Sequence, residues 1–276
     1  MSEPTRPRPP RPWHLALWFV AATASTMCGI GGGLFAVPIL HFLLGLPLKQ
    51  ATATSLVAVF AMTLAGTLAE LAQPACAIDW PIVLLLSLGG LAGAAVGQRA
   101  MDRISTRALT WVFALALFAG GLRVLLSDGA PPEGTAGRPP LDLLLSTLVL
   151  AAGVGGGVVA PLLGLGGGLI VVPALYLGVP GFSYLGARAS STAMAAVNSA
   201  QLTWMNLRAG RTERTVLAPF AVIATFAAVT GILLVHLPGW AEAARVLMGV
   251  LMLAVSLQYA RRAATVDRAR RAAPGA

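Results

Sequence analysis

A chain of 276 residues with 57% hydrophobic and 11% charged residues, at a mean hydropathy of +0.80, cannot cover its apolar surface in water. The bilayer is therefore its solvent. The formal charge of +9 lies between apolar runs and at the chain ends, which suits orientation in a membrane and contact with anionic lipid, and excludes a nucleic-acid face with interleaved aromatics.

Residues 1–12 read as a basic arm carrying Arg6, Arg8 and Arg11, and an apolar stretch runs from Trp13 to Cys28. Ala22-Thr23-Ala24 mimics a signal-peptide cleavage site, but cleavage there would strip the helix that precedes the first glycine run, so an uncleaved first segment is expected. Next comes the phrase Gly29-Ile30-Gly31-Gly32-Gly33-Leu34-Phe35-Ala36-Val37-Pro38, whose apolar arm ends near residue 46. A full crossing needs about 20 residues, which the stretches 53–71, 80–101 and 108–126 supply. Residues 127–142, rich in Pro and Gly, read as a linker. The pattern then repeats: an apolar stretch 143–163, the phrase Gly164-Leu165-Gly166-Gly167-Gly168-Leu169-Ile170-Val171-Val172-Pro173, a short arm to 179, and crossings at 189–207, 215–236 and 243–260. Residues 261–276 form a basic tail expected in the cytoplasm.

The expected fold is all-α and polytopic, with one membrane repeat over 13–126 and a second over 143–260. Each repeat holds a glycine-broken helix, re-entrant or discontinuous, plus three transmembrane helices. Lys and Arg collect in cytoplasmic loops. If each broken unit re-enters, with the N-terminus inside, only Arg123, Arg138, Arg188 and Arg245 fall outside. If each crosses once, Lys49, Arg99, Arg103 and Arg107 move outside while Arg123 and Arg138 move inside, and the Arg-free loop 72–79 becomes cytoplasmic. The first arrangement fits better. It leaves three crossings and one hairpin per half, so the halves insert in opposite directions, both termini are cytoplasmic, and a binding site belongs at the interface of inverted repeats.

The glycine runs are the first candidates for chemistry. Glycine allows several backbone N–H groups to face one concavity, and the apolar arm after each run begins a half-helix whose N-terminus favours an anion. Pro38 and Pro173 are expected to be tolerated near the start of those arms, where N–H groups lack partners. Gly31, Gly32, Gly33, Gly166, Gly167 and Gly168 are therefore candidate substrate contacts, against the alternative that they only allow close helix packing. Gly153, Gly155, Gly156 and Gly157 suit packing. Neither run is a dinucleotide fingerprint or a phosphate loop.

Hydroxyls start the crossing after each arm: Thr54 and Ser55 in the first half align with Ser190 and Ser191 in the second, and Met62-Thr63 with Asn198-Ser199. They can cap their helices or line a cavity. Asn198 needs a partner in either a neighbouring helix or a substrate, and Gln201 lies on nearly the same helix face. Glu70, Arg188 and His41 are ionisable residues placed for coupling or anion attraction, although each lies near a predicted boundary, where a side chain ordinarily snorkels to water. Cys28 and Cys76 are far apart and imply no disulfide framework. No catalytic constellation, metal-ligand set or cofactor motif is present, so no enzymatic activity, metal or cofactor is expected.

The duplicated G-x-G-G-G-x-x-x-V-P, followed by Ala53-Thr54-Ser55-Leu56 in one half and by Ala189-Ser190-Ser191 and Asn198-Ser199 in the other, resembles the sulfite exporter (TauE/SafE-type) permease family over about residues 15–258. Ser190, Thr192 and Met62 depart from the family's pattern. The resemblance implies a multispanning bacterial inner-membrane permease for a small sulfur-containing anion such as sulfite or an organosulfonate. The expected partners are that anion and membrane lipid, with assembly into a homo-oligomer left open and no nucleic acid. The alternative is an anion channel or a non-transporting membrane scaffold.

Overall fold

The computed structural model of the protein describes residues 9–100, 106–126, 141–164 and 166–272. Residues 1–8 of the expected arm, 101–105 with Arg103, 127–140 of the expected linker, 273–276 of the expected tail, and Leu165 lie outside these ranges. All regular structure among the described residues is helical. Helix α1 (Pro12–Cys28) is followed after the first glycine run by α2 (Gly33–Pro38) and a π-helical turn (Ile39–Leu43), then by α3 (Leu48–Leu71), α4 (Trp80–Ala100) and α5 (Thr106–Leu126). The second half repeats the order as α6 (Leu143–Leu163), α7 (Gly168–Gly178), α8 (Tyr184–Arg208), α9 (Arg214–Val235) and α10 (Trp240–Ala272).

The glycine phrases break their helices by backbone geometry. Gly29 ends α1 at φ 71°, and Gly164 ends α6 at φ 69°. Both adopt the left-handed C-cap conformation that glycine enters without a Cβ penalty. The following helices start behind Gly32 and Gly167, again at positive φ. Pro38 and Pro173 sit deeper than expected. Each occupies the sixth helical position, beyond the first turn, where a proline removes an i→i−4 hydrogen bond. In the first half the helix widens into the π-helical turn immediately afterwards, as a disrupted hydrogen-bond ladder permits.

Among the described residues, five helices are long and apolar enough to cross a membrane: Leu48–Leu71, Trp80–Arg99, Leu143–Pro161, Arg214–Val235 and Trp240–Gln258. The third belongs to the stretch 143–163, which its place in a broken unit had set apart from the expected crossings. The crossing expected over 189–207 lies in α8, which at 25 residues has the length but not the apolar composition. The reason is position. Most of its residues, including Arg188, Ser190, Ser191, Asn198 and Ser199, are buried against protein, so α8 need not be apolar.

Pairwise contacts fix the helix directions. Helix α1 runs parallel to α9: Trp18 Nε1 donates to the Phe220 carbonyl at 2.9 Å, and Gly231 packs on Thr23 and Thr26. Helix α6 runs parallel to α4, with Gly153 against Leu86, Gly157 against Gly90 and Ala94, and Gly97 against Val158. A β-carbon at any of these glycines would press on the facing helix backbone, so small residues set this approach. Helices α3 and α8 cross antiparallel at the centre: Thr203 Oγ1 donates to the Leu56 carbonyl at 3.2 Å, and Thr63 Oγ1 lies 3.3 Å from Ser199 Oγ. The bundle therefore has a Lys49 end, where α3 and α9 start and α8 finishes, and an Arg188 end, where α8 starts and α3 and α9 finish.

Candidate functional site where the two helix breaks meet

The two breaks touch. A β-carbon built on Gly31, itself at φ 86°, would stand 3.6 Å from the backbone nitrogen of Gly166. Gly168 lies against the Gly29 carbonyl and Ser191 Oγ, Gly32 against Met62 and Trp18, and Gly166 against Val59 and Ala195. Gly31, Gly32, Gly33, Gly166, Gly167 and Gly168 are all buried. The Gly33 amide donates to the Gly31 carbonyl at 2.9 Å, whereas the amides of Gly31, Gly32, Gly167 and Gly168 donate to no described residue. Buried backbone donors are nearly always paired with protein or water. Four amides without an acceptor among the described residues thus gather at one contact, as a polar guest would require.

The contacts around the breaks are reciprocal. A β-carbon on Gly29 would meet Arg188 Cγ at 2.9 Å and Val172 at 3.1 Å; one on Gly164 would meet Val37 at 2.8 Å and Thr52 at 3.3 Å. Gly29 aligns with Gly164, Val37 with Val172, and Thr52 with Arg188. Each break is seated on the other half's hydroxyl-rich helix and short arm.

The four aligned hydroxyls divide by role. Thr54 Oγ1 accepts from the Glu213 amide at 2.9 Å, and Ser190 Oγ from the Asp79 amide at 3.1 Å. Glu213 is the N-cap of α9, and Asp79 stands at the same place before α4, its carboxylate accepting from the Ile82 amide at 3.3 Å. Thr54 and Ser190 thus hold helix starts belonging to the opposite half. Ser55 Oγ donates to the Thr52 carbonyl at 2.8 Å and lies 3.5 Å from the Gly164 carbonyl. Ser191 Oγ is buried beside Gly168 and has no partner among the described residues.

Asn198 is fully buried. Among the described residues its Nδ2 reaches only Met194 Sδ, at 3.5 Å, and its Oδ1 has no partner, with Gly90 of α4 against the amide. Gln201 Oε1 is likewise buried and unpartnered.

Glu70 and Arg188 do not snorkel. Arg188 Nη2 lies 2.5 Å from Glu70 Oε2, and His236 Nε2 lies 3.1 Å from Glu70 Oε1. Charges that face each other can stay buried, which the local position of each residue in sequence does not reveal. Arg188 Nε and Nη1 have no partner among the described residues. His41 stands apart from this group: its Nδ1 lies 2.7 Å from the Leu46 carbonyl and closes the turn after the π-helical segment. Sequence reasoning left out His236, Asp79 and Glu213. His236 was within reach, because the end of the stretch 215–236 falls on the same predicted face as Glu70 and Arg188.

A family model described as Sulfite exporter TauE/SafE matches residues 1–124 and 149–276. A protein of Haemophilus influenzae (strain ATCC 51907 / DSM 11121 / KW20 / Rd), described as a probable membrane transporter protein, is 29% identical over 150 residues. That match covers 54% of this chain and 54% of the relative, about half of each. No solved structure matches the chain.

Proposed function

From the premise that the chain belongs to the sulfite exporter TauE/SafE family, we propose that it is a permease carrying a small sulfur-containing anion, sulfite or an organosulfonate, by alternating access. It would sit in the bacterial inner membrane with both termini cytoplasmic. The observation that carries this reading is the meeting of two helix breaks whose buried glycine amides have no acceptor among the described residues, beside a buried arginine two of whose nitrogens have no partner among them either.

An anion leaving water loses its hydrogen bonds, and a site must replace them. The amides of Gly31, Gly32, Gly167 and Gly168 supply oriented donors without net charge, and Arg188 supplies the counter-charge. Ser191 and Asn198 add buried polar atoms that nothing else uses. Gly33 and Gly166 shape the contact. Thr54, Ser55 and Ser190 act one step back, holding the helix starts and the Gly164 turn against which the breaks are aligned. Glu70, itself held by His236, holds Arg188 and can give up part of that hold when an anion arrives.

The architecture supports two inverted repeats. Helix α1 enters from the Lys49 end alongside α9, and the chain returns to that end at Leu48. Helix α6 enters from the Arg188 end alongside α4, and the chain returns there at Tyr184. Opposed re-entrant units that share one contact suit a site opened alternately to either face.

Reconstitution into liposomes tests the proposal. Sulfite, sulfate, thiosulfate and a sulfonate are supplied outside, and uptake is measured against concentration. Saturable, competitive uptake of at least one sulfur anion is expected. Uptake that never saturates would indicate a channel, and no flux for any anion a scaffold; either result overturns the reading.

A further inference from the structure

At the Lys49 end a cavity of about 240 Å³ is lined by Lys49, Thr52, Gln98, Pro161, Asn206 and Arg211, with apolar side chains between them. At about 30 Å³ per water in the liquid, this is room for one small oxyanion and several waters. Its two cations come from different halves of the chain, and no carboxylate lines it. Neither Lys49 nor Arg211 forms an ion pair with a described residue. Glu213, the carboxylate nearest Arg211 in sequence, is engaged with Gln50 Nε2 at 3.2 Å and with Thr215. Asn206 is buried, and its Nδ2 donates to the Leu202 carbonyl at 2.9 Å. Gln98 Oε1 is buried without a partner. Because a carboxamide can turn over, that position can present an N–H donor instead.

The cavity adjoins the second helix break. Thr52 in its wall is the residue against which Gly164 packs, and Pro161 is in the last turn of α6 before the same break. At the opposite end the position aligned with Thr52 holds Arg188, fully buried and closed over by Glu70 and His236. The Lys49 side of the breaks thus carries a polar-lined cavity, and the Arg188 side a buried ion pair.

We propose that this cavity is a second anion site, an antechamber that captures a small divalent oxyanion between Lys49 and Arg211 and passes it to the helix breaks. The inference rests on the permease reading for its role in transport. Two cations without a carboxylate between them select charge −2 over charge −1, and the carboxamides can supply N–H donors to the oxygens of the anion. An anionic lipid headgroup offers the same chemistry, so the test separates the two sources.

Sulfate serves as an unreactive dianionic probe, with binding measured by calorimetry on the full chain in phosphatidylcholine nanodiscs. The wild type is compared with K49Q/R211Q and with the charge-preserving K49R/R211K. Both positions are exposed, and thermal unfolding checks that the variants remain folded. The expected result is an affinity lower by about tenfold in K49Q/R211Q, equivalent to about 1.4 kcal/mol, and restored within twofold in K49R/R211K. Adding phosphatidylglycerol should leave the affinity unchanged. In liposomes, K49Q/R211Q should raise the KM for sulfite with its maximal rate kept within twofold. Sulfate binding to K49Q/R211Q as tight as to the wild type overturns the proposal. So does displacement of sulfate by phosphatidylglycerol, which would make the cavity a headgroup site. Sulfate binding that depends on both cations, in a protein without flux of any anion, would keep the site and discard the permease reading.

Discussion

Arg188 and Glu70, 118 residues apart in sequence, meet with Nη2 2.5 Å from Oε2 in a fully buried ion pair. The pair ties the start of α8 to the end of α3, and His236 adds the end of α9. Removing one member of a buried pair leaves the other charge uncompensated, at a cost of about 3–5 kcal/mol. Arg188→Gln and Glu70→Gln should each lower stability on that scale. The double variant should lose far less than the sum, because neither charge is then stranded. Thermal or denaturant unfolding in detergent measures this coupling. Additive losses would show that the pair contributes nothing as a pair.

The same variants separate holding from binding. If Arg188 contacts the anion, Arg188→Gln abolishes uptake even in the Glu70→Gln background, where stability is largely recovered. Restored uptake in the double variant would reduce Arg188 to a structural role.

Asn198 offers the opposite trade. Its Oδ1 is buried and unpaired, and an unsatisfied buried acceptor costs about 1–3 kcal/mol. The nearly isosteric Asn198→Leu should leave stability unchanged or raise it while uptake of the transported anion falls at least tenfold. A destabilised variant with normal transport would make Asn198 a packing residue.

At the contact of the two breaks, Gly31 is the more informative of the pair. A β-carbon there meets nothing closer than 3.6 Å, so Gly31→Ala is opposed mainly by its left-handed backbone at φ 86°, about 1–2 kcal/mol. Insertion and folding should survive that loss, and Gly31→Leu should fill the contact and abolish uptake. Retained transport in Gly31→Leu, at normal abundance in the membrane, would remove the breaks from the site.

Native Cys76 is exposed, and Cys28 is buried. In the wild type, a membrane-impermeant maleimide should therefore label only Cys76, from the face carrying the Arg188 end. In a Cys76→Ser background, Arg211→Cys should label only from the opposite face. Labelling of both positions from one face would contradict the helix directions on which the re-entrant arrangement rests.

Hydropathy alone made the helical membrane fold legible, and the duplicated phrase located both helix breaks. What stayed hidden were partners across the bundle. Thr54 and Ser190 read as hydroxyls at the start of their own helices, and capping was the expected alternative to binding. The helix starts they hold, however, are those of α9 and α4, at sequence separations of 159 and 111 residues. Glu70 and Arg188 looked like boundary residues bound for water because a linear reading cannot bring two opposite charges together. The prolines were misplaced for a different reason. The glycine runs end later than their first glycines suggest, but the helices behind them still begin early enough to carry Pro38 and Pro173 past the first turn.

The exchanged hydroxyls bear on how the chain is made. During synthesis the first half reaches the membrane before Ser190 exists, so α4 begins without the acceptor that later receives the Asp79 amide. The second half in turn relies on Thr54, already inserted, to receive the amide at the head of α9. Each half completes the other, so maturation ends in a mutual docking step. Halves produced as separate polypeptides should be short-lived alone and rescued only by co-expression.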